Sequence, residues 1–166
     1  GNNNFEGSCF NNITKYEISN YLLSAQNINE SELLLGSVVV YKTNEGLFGK
    51  FEVQANDEFG LGIKWVTYDA DGNINSWGDH LYTYDTWFGD LDSGVENETE
   101  IAGVDYAWRR VDGTTRYLVP LNGASFSIYR CLDALEANVS FVEYITCPIP
   151  NPVLAFDKME YYNIGT

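Results

Sequence analysis

The chain has 166 residues, of which 24 are acidic and 9 are basic, and its net charge is −15. This charge argues against nucleic acid and anionic membranes as partners, because both are bound through basic side chains. It suits solubility and hard cations such as Ca²⁺, which bind carboxylate oxygens. No apolar run is long enough to cross a bilayer as a helix, so we expect no membrane insertion.

The start of the chain and its cysteines bear on cellular location. Residues 1–4 read Gly-Asn-Asn-Asn rather than beginning with Met, and a polar start fits the mature end of an exported protein. We therefore expect a secreted, periplasmic or cell-surface protein. The three cysteines, Cys9, Cys131 and Cys147, lack the spacing of a zinc site. They form a Cys131–Cys147 bridge that leaves Cys9 unbridged, a bridge that includes Cys9, or three buried thiols.

The N-terminal part is predicted to hold a polar tail, residues 1–12, followed by one short helix. Thr14 and Glu17 have the spacing of a capping box, and apolar residues follow at helical intervals. We predict a helix over residues 15–26. Residues 13–166 contain no internal repeat and are predicted to form a single domain.

Short β-strands separated by turns account for most of the remaining chain. About nine or ten such strands predict an antiparallel, jelly-roll-like β-sandwich, with a closed β-barrel as the alternative. Alternation along the strands predicts one packed and one solvated sheet face. The strands are expected at residues 37–42, 47–53, 61–68, 75–88, 105–111, 114–120, 124–130 and 140–147, with a final edge strand at 153–162. The strand at 75–88 is expected to break near Gly78. A polar connection is expected at residues 54–60 and a helical turn at 132–137.

A hairpin around the Asp-Gly turn at residues 112–113 carries the first candidate ligand site. A two-residue turn pairs Trp108 with Tyr117 and puts Tyr106 and Arg110 on the same face. Aromatic rings stack on the apolar faces of sugars, and Arg supplies fixed donors. We therefore predict that these four residues bind a ligand. The alternative is that Trp108 packs against Tyr117 in the core.

A second aromatic strip follows between residues 80 and 88. Alternation places His80, Tyr82 and Tyr84 on one face, and Trp87 comes shortly after them. Tyr84 and Trp87 are the further candidates for ligand binding. The strip either lines a cleft or forms the inner face of the sandwich.

The longest acidic stretch, residues 89–100, is predicted to be a loop. Asp90 and Asp92 at alternate positions point the same way, and Gly94 lets the chain fold back to bring in Glu96. We predict these three carboxylates as ligands of Ca²⁺, with a solvated acidic loop as the alternative. The acidic run at residues 69–73 fits a hairpin turn better than a calcium loop.

Catalytic motifs are missing from the sequence. It contains no nucleophile elbow, no His-Glu-x-x-His and no phosphate-binding glycine loop, and His80 is its single histidine. We expect an exported, non-catalytic binding module with carbohydrate as the leading ligand class and a glycan or surface protein as partner. The alternatives are a structural or adhesin-type surface domain stabilised by calcium, and a hydrolase that cleaves polysaccharides through two carboxylates.

Overall fold

The computed structural model describes residues 9–130. The predictions for the bridge between Cys131 and Cys147 and for the elements beyond residue 130 lie outside the described residues. The described residues up to Tyr129 belong to one compact unit. The prediction of a single domain over residues 13–166 stays a prediction.

The described residues form two antiparallel five-stranded sheets that are not closed into a barrel, so the predicted β-sandwich is confirmed. Sheet A contains β2 (Val38–Lys42), β3 (Phe48–Asp57), β4 (Gly60–Tyr68), β5 (Ile74–Tyr84) and β10 (Ser125–Tyr129), and sheet B contains β1 (Ile28–Asn29), β6 (Phe88–Asp90), β7 (Val95–Asn97), β8 (Tyr106–Arg110) and β9 (Arg116–Pro120). The strand order is β10-β2-β3-β4-β5 in sheet A and β1-β9-β8-β6-β7 in sheet B.

The core lies between the two sheets and is rich in aromatic side chains. Leu61 and Ile63 alternate with outward-facing residues along β4, as period-2 patterning requires, and both are fully buried. The largest fully buried side chains are Trp108, Tyr41, Tyr106, Phe51 and Phe126.

The N-terminal helix is shorter than predicted. It spans Lys15–Ser19 and has the expected capping box, with Thr14 and Glu17 each accepting the other's backbone N–H. It does not extend to residue 26, because Ser24 is extended and pairs with Phe126 of β10 through two backbone hydrogen bonds of 3.0 and 2.9 Å. Residues 9–12 are also helical, and Glu30–Glu32 form a 3₁₀ turn.

The outer face of sheet A is partly covered rather than solvated along β3. Lys50 points outward from β3 yet is only 3% exposed, because its ammonium donates to the carbonyls of Phe10 and Ile13. Burial lowers the pKa of Lys50 to about 8. Cys9, next to Phe10, is disulfide-bonded, so the alternative of a bridge that includes Cys9 is the one found. Within residues 9–130, no helix is long and apolar enough to cross a membrane.

Three further predictions about the strands need correction. Residues 54–57 belong to β3 rather than to a connection, and Asp57 closes the tight turn by accepting the backbone N–H groups of Phe59 and Gly60. β5 continues through Gly78, where a register shift replaces the predicted break. Residues 89–100 contain the β6–β7 hairpin instead of forming only a loop.

The turn at residues 69–73 is the predicted hairpin turn. Asp69 Oδ1 accepts the backbone N–H groups of Asp71 and Asn73, each at 2.9 Å. Gly72 has a φ of +89°, which a glycine adopts without strain.

Candidate functional site

The β8–β9 hairpin has a different register from the one predicted. Arg110 pairs with Arg116 and Trp108 with Leu118, one residue away from the predicted pairing of Trp108 with Tyr117. The loop is longer than two residues, because Asp112 Oδ1 accepts the backbone N–H of Thr115 at 3.0 Å. A shift of one residue moves a strand's side chains to the opposite face relative to its partner.

The predicted platform on this hairpin is therefore not formed. Trp108 and Tyr106 are 0% exposed, and Trp108 packs beside Leu118 in the core. Tyr117 pairs with Arg109 and faces away from the core. The prediction that Tyr106, Trp108 and Tyr117 share a ligand-facing surface is wrong.

Arg110, Tyr84 and Trp87, the other predicted ligand residues, lie around the end of β5. The Arg110 guanidinium, 47% exposed, forms an ion pair of 2.9 Å with Asp85, the residue after Tyr84. Asp85 also pairs with the largely buried Arg116 at 3.0 Å. Arg110 and Arg116 thereby anchor the chain where it leaves β5.

An aromatic ladder, made of His80, Tyr82, Tyr84 and Trp87, runs along this end of β5. The ring centroids are 6.0 Å apart for His80 and Tyr82, 5.1 Å for Tyr82 and Tyr84, and 5.0 Å for Tyr84 and Trp87. The members on β5 face outward, because the intervening Leu81 and Thr83 are buried. The predicted alternative of an inner face of the sandwich is therefore wrong: the strip lies on the outer face of sheet A, and Tyr84 is 48% exposed.

Two glycines of β4 allow Tyr82 to lie against the sheet. A Cβ at Gly60 would come within 2.7 Å of the Tyr82 ring, and a Cβ at Gly62 within 3.0 Å. The Tyr82 hydroxyl donates to Asp57 Oδ1 at 2.7 Å. Burial and this hydrogen bond raise the pKa of Tyr82 to about 12, and the same bond lowers the pKa of Asp57.

A strained turn brings Trp87 against the ladder. The backbone N–H of Trp87 donates to the backbone carbonyl of Tyr84 at 2.9 Å, and Thr86 has a φ of 71°. A β-branched residue rarely adopts this left-handed conformation, which costs on the order of 1–3 kcal/mol. The conformation is held by the Thr86 N–H, which donates to the Trp108 carbonyl at 2.7 Å.

A cavity of about 320 Å³ opens on the same face of sheet A. Trp77, Tyr68 and Ile74 supply apolar surface, whereas Lys64 and Asp79 supply charged groups. Trp77 is 63% exposed. The Lys64 ammonium lies 3.1 Å from Glu52 and 4.7 Å from the centroid of the Phe10 ring.

An acidic cluster is made of Asp90 and Asp92, at the turn of the β6–β7 hairpin, and Asp105, just before β8. One carboxylate oxygen of each residue lies within 4.8 Å of the others. Asp105 accepts the backbone N–H groups of Asn44 and Leu91 at 2.6 and 2.7 Å. The Asn44 side-chain amide matches its surroundings only when its nitrogen is assigned to the side facing the cluster, 2.8 Å from Asp105 and 3.2 Å from Asp92.

Burial in the cluster disfavours the charged form of two of its carboxylates. Burial raises the pKa of Asp105 to about 7 and that of Asp92 to about 6. The buried Asp92 Oδ1 has no hydrogen-bond partner within residues 9–130. Two of the three predicted calcium ligands, Asp90 and Asp92, thus converge, and the third carboxylate of the cluster is Asp105. The predicted third ligand, Glu96, lies in β7 and pairs with Gly89 of β6 instead.

Comparisons of this chain with protein-family models, with curated proteins and with solved structures found no match.

Proposed function

We propose that this chain is an exported, non-catalytic module that binds glycans through the aromatic ladder. The observation that carries the proposal is the continuous row of rings from His80 to Trp87 on an outer sheet face. The apolar faces of sugar rings stack on such rings. Packing in the protein core does not explain the position of the Tyr84 ring, because nearly half of the surface of this residue is exposed.

The polar groups beside the ladder suit a ligand rich in hydroxyls. Asp57 presents a carboxylate next to Tyr82, and the half-exposed Arg110 side chain is paired with Asp85, the residue after Tyr84. Both are held in place by hydrogen bonds or ion pairs, which reduces the entropy lost on binding. The strained backbone at Thr86 is a further sign of function, because strain of this kind concentrates at binding sites.

The disulfide at Cys9 supports export, because such bonds persist mainly in oxidising compartments.

The test is native affinity electrophoresis in gels that contain mixed-linkage β-glucan, xylan, galactomannan or dextran, each with Ca²⁺ and with EDTA. We expect at least one glycan to retard the protein and Tyr84→Ala to abolish most of this retardation. Tyr117→Ala is the matched control, because Tyr117 lies on the outer face of sheet B. Absence of retardation across the panel would refute binding of these soluble glycans.

The same gels separate this proposal from the hydrolase alternative. A glycosidase needs carboxylates that touch the scissile bond. The acidic cluster contains the two carboxyls of residues 9–130 whose pKa is raised, and one of them, Asp105, is 0% exposed and cannot reach a polysaccharide. We therefore expect no release of reducing sugar from any retarding glycan, and measurable release would favour the hydrolase.

The second candidate function is a structural surface domain stabilised by Ca²⁺ at the acidic cluster. The observation that favours it is Asp92 Oδ1, a buried carboxylate oxygen without a hydrogen-bond partner in the described part of the chain. A hard cation prefers such oxygens, and one bound to the native state alone raises the melting temperature. We expect a higher melting temperature in excess Ca²⁺ than in EDTA, and an equal value would exclude this site.

A further inference from the structure

The cavity beside Trp77 and the aromatic ladder share one face of the sheet. Gly78 points inward, because a Cβ there would meet the buried Trp65 ring at 2.5 Å. Its neighbour Trp77 therefore points outward, as do Tyr82 and Tyr84. Asp79 lines the cavity, and His80, the next residue, is the first ring of the ladder.

The floor of this face is also continuous along β4. Gly60 and Gly62 lie under the Tyr82 ring, and Lys64, two residues further on the same face, lines the cavity. Leu61 and Ile63 between them point into the core. A ligand that occupies the ladder can thus continue along the strand into the cavity without crossing a ridge from β4.

The rings of the ladder are not coplanar. His80 and Tyr82 are nearly parallel at 18°, whereas the planes of Tyr82 and Tyr84 meet at 78° and those of Tyr84 and Trp87 at 68°. A crystalline polysaccharide presents its sugar rings in one plane and needs coplanar aromatic rings. A single chain that turns about its glycosidic bonds can present successive sugars to rings of different orientation.

The cavity lining fits one further unit of the same ligand. Trp77 and Tyr68 offer rings, and Lys64 and Asp79 offer a donor and an acceptor for hydroxyl groups. The volume of about 320 Å³ is at the small end of the range of ligand sites.

We propose that the ligand is a single soluble polysaccharide chain that runs along β5 from the aromatic ladder into the cavity beside Trp77. This inference rests on the proposed glycan binding and adds the form of the glycan and a second contact region. Long chains reach both the ladder and the cavity, whereas short fragments are held at the ladder alone.

The experiment measures binding of the wild type, Trp77→Ala and Tyr117→Ala to the polysaccharide that retards the protein and to its hydrolysis fragments of increasing length. We expect Trp77→Ala to weaken binding of long chains by about tenfold, which corresponds to about 1.4 kcal/mol, and to leave binding of short fragments unchanged. Tyr117→Ala should match the wild type for all lengths, and all three proteins should melt at the same temperature.

Sedimentation with microcrystalline cellulose and with crystalline chitin completes the test. We expect the wild type to stay in solution with both solids. Unchanged long-chain affinity in Trp77→Ala would remove the cavity from the site, and strong binding to either solid would overturn the single-chain inference while leaving glycan binding intact. A wild type that binds neither soluble nor crystalline glycan would refute the proposed function itself.

Discussion

Two groups of aromatic residues lie close together in this protein and have opposite surroundings. The interior group, Tyr41, Tyr106 and Trp108, is 0% exposed. The ladder also contains tyrosines and a tryptophan, yet its members on β5 lie on an outer face, with Tyr84 48% exposed. Composition alone does not distinguish these groups, because strand register and alternation decide which rings meet the other sheet.

The polar atoms of the two groups differ in the same sense. The hydroxyls of Tyr41 and Tyr106 pair with the buried hydroxyls of Thr67 and Thr83 at 2.8 and 2.7 Å. The Tyr82 hydroxyl instead binds the exposed carboxylate of Asp57. The two interior hydroxyls thus have partners inside the protein, although Trp108 Nε1 has none within residues 9–130, whereas the ladder borders charged groups that a ligand can reach.

The comparison is tested most strongly by removing one ring from each group. Trp108→Ala should destabilise the protein by about 3–5 kcal/mol, because it leaves a large cavity in the core. Tyr84→Ala should change stability by less than about 0.5 kcal/mol and should abolish most glycan binding. Urea denaturation with parallel affinity gels measures both effects. A stable Trp108→Ala protein would contradict the division into an interior group and a ladder.

The sequence allowed the sandwich to be predicted, since alternation and turn residues mark most strands. It did not allow the register of the β8–β9 hairpin to be predicted. The Asp-Gly pair at 112–113 favours a two-residue turn, but the Asp112 side chain closes a longer loop by binding the Thr115 N–H. This one-residue difference in register decides whether Trp108 pairs with Tyr117 or with Leu118. The predicted ligand site on this hairpin was therefore wrong because of the conformation of one loop.

The acidic cluster shows a second limit of the sequence. Asp90 and Asp92 were predictable from their spacing, but Asp105 comes from a separate segment that reaches them only in the folded chain. The one available signal was an acidic residue inside an apolar strand segment. The covered face over Lys50 was equally unpredictable, because it depends on where the N-terminal residues pack.

The next prediction concerns the carboxyls beside the interior group. The pKa values of Asp92 and Asp105 are raised in the folded state, so the native protein holds these protons more tightly than the unfolded chain. Stability in EDTA should therefore fall by on the order of a few kcal/mol as the pH rises from 5 to 8. The pKa of Asp57 is lowered, so its contribution to the free energy of unfolding is fully present above about pH 4. It therefore does not change the dependence of stability on pH between 5 and 8.

Asp92→Asn provides the control for this pH dependence. It removes a buried carboxylate and its repulsion of Asp105, so the variant should be more stable than the wild type at pH 8 in EDTA and should lose any stabilisation by Ca²⁺. Asp71→Asn, at an exposed position in the turn, should change neither property. A wild-type stability that rises between pH 5 and 8 would show that the cluster is stabilised as anions.

A smaller difference in stability is expected when a single tyrosine hydroxyl is removed from the interior group or from the ladder. Tyr106→Phe leaves the buried Thr83 hydroxyl without this partner and should cost about 1–2 kcal/mol. Tyr84→Phe should leave stability unchanged within about 0.5 kcal/mol, since its ring is half exposed. Thermal denaturation of the two variants at pH 7 gives the comparison. Equal losses of stability would mean that the buried Tyr106 hydroxyl contributes no more than the hydroxyl of the half-exposed Tyr84.

The smallest change in stability and the most specific effect on the ladder should come from Gly62→Ala. Its Cβ would lie 3.0 Å from the Tyr82 ring and 3.1 Å from the Ala55 Cβ, so the ring must move away from the sheet. The lost contact is offset by the higher strand preference of alanine, worth about 0.5–1 kcal/mol, so stability should hardly change. Glycan affinity should nevertheless fall, because Tyr82 no longer lies between His80 and Tyr84. Tyr82→Phe, which keeps the ring and loses only the bond to Asp57, should retain most of the binding, and unchanged affinity in Gly62→Ala would exclude Tyr82 from the site.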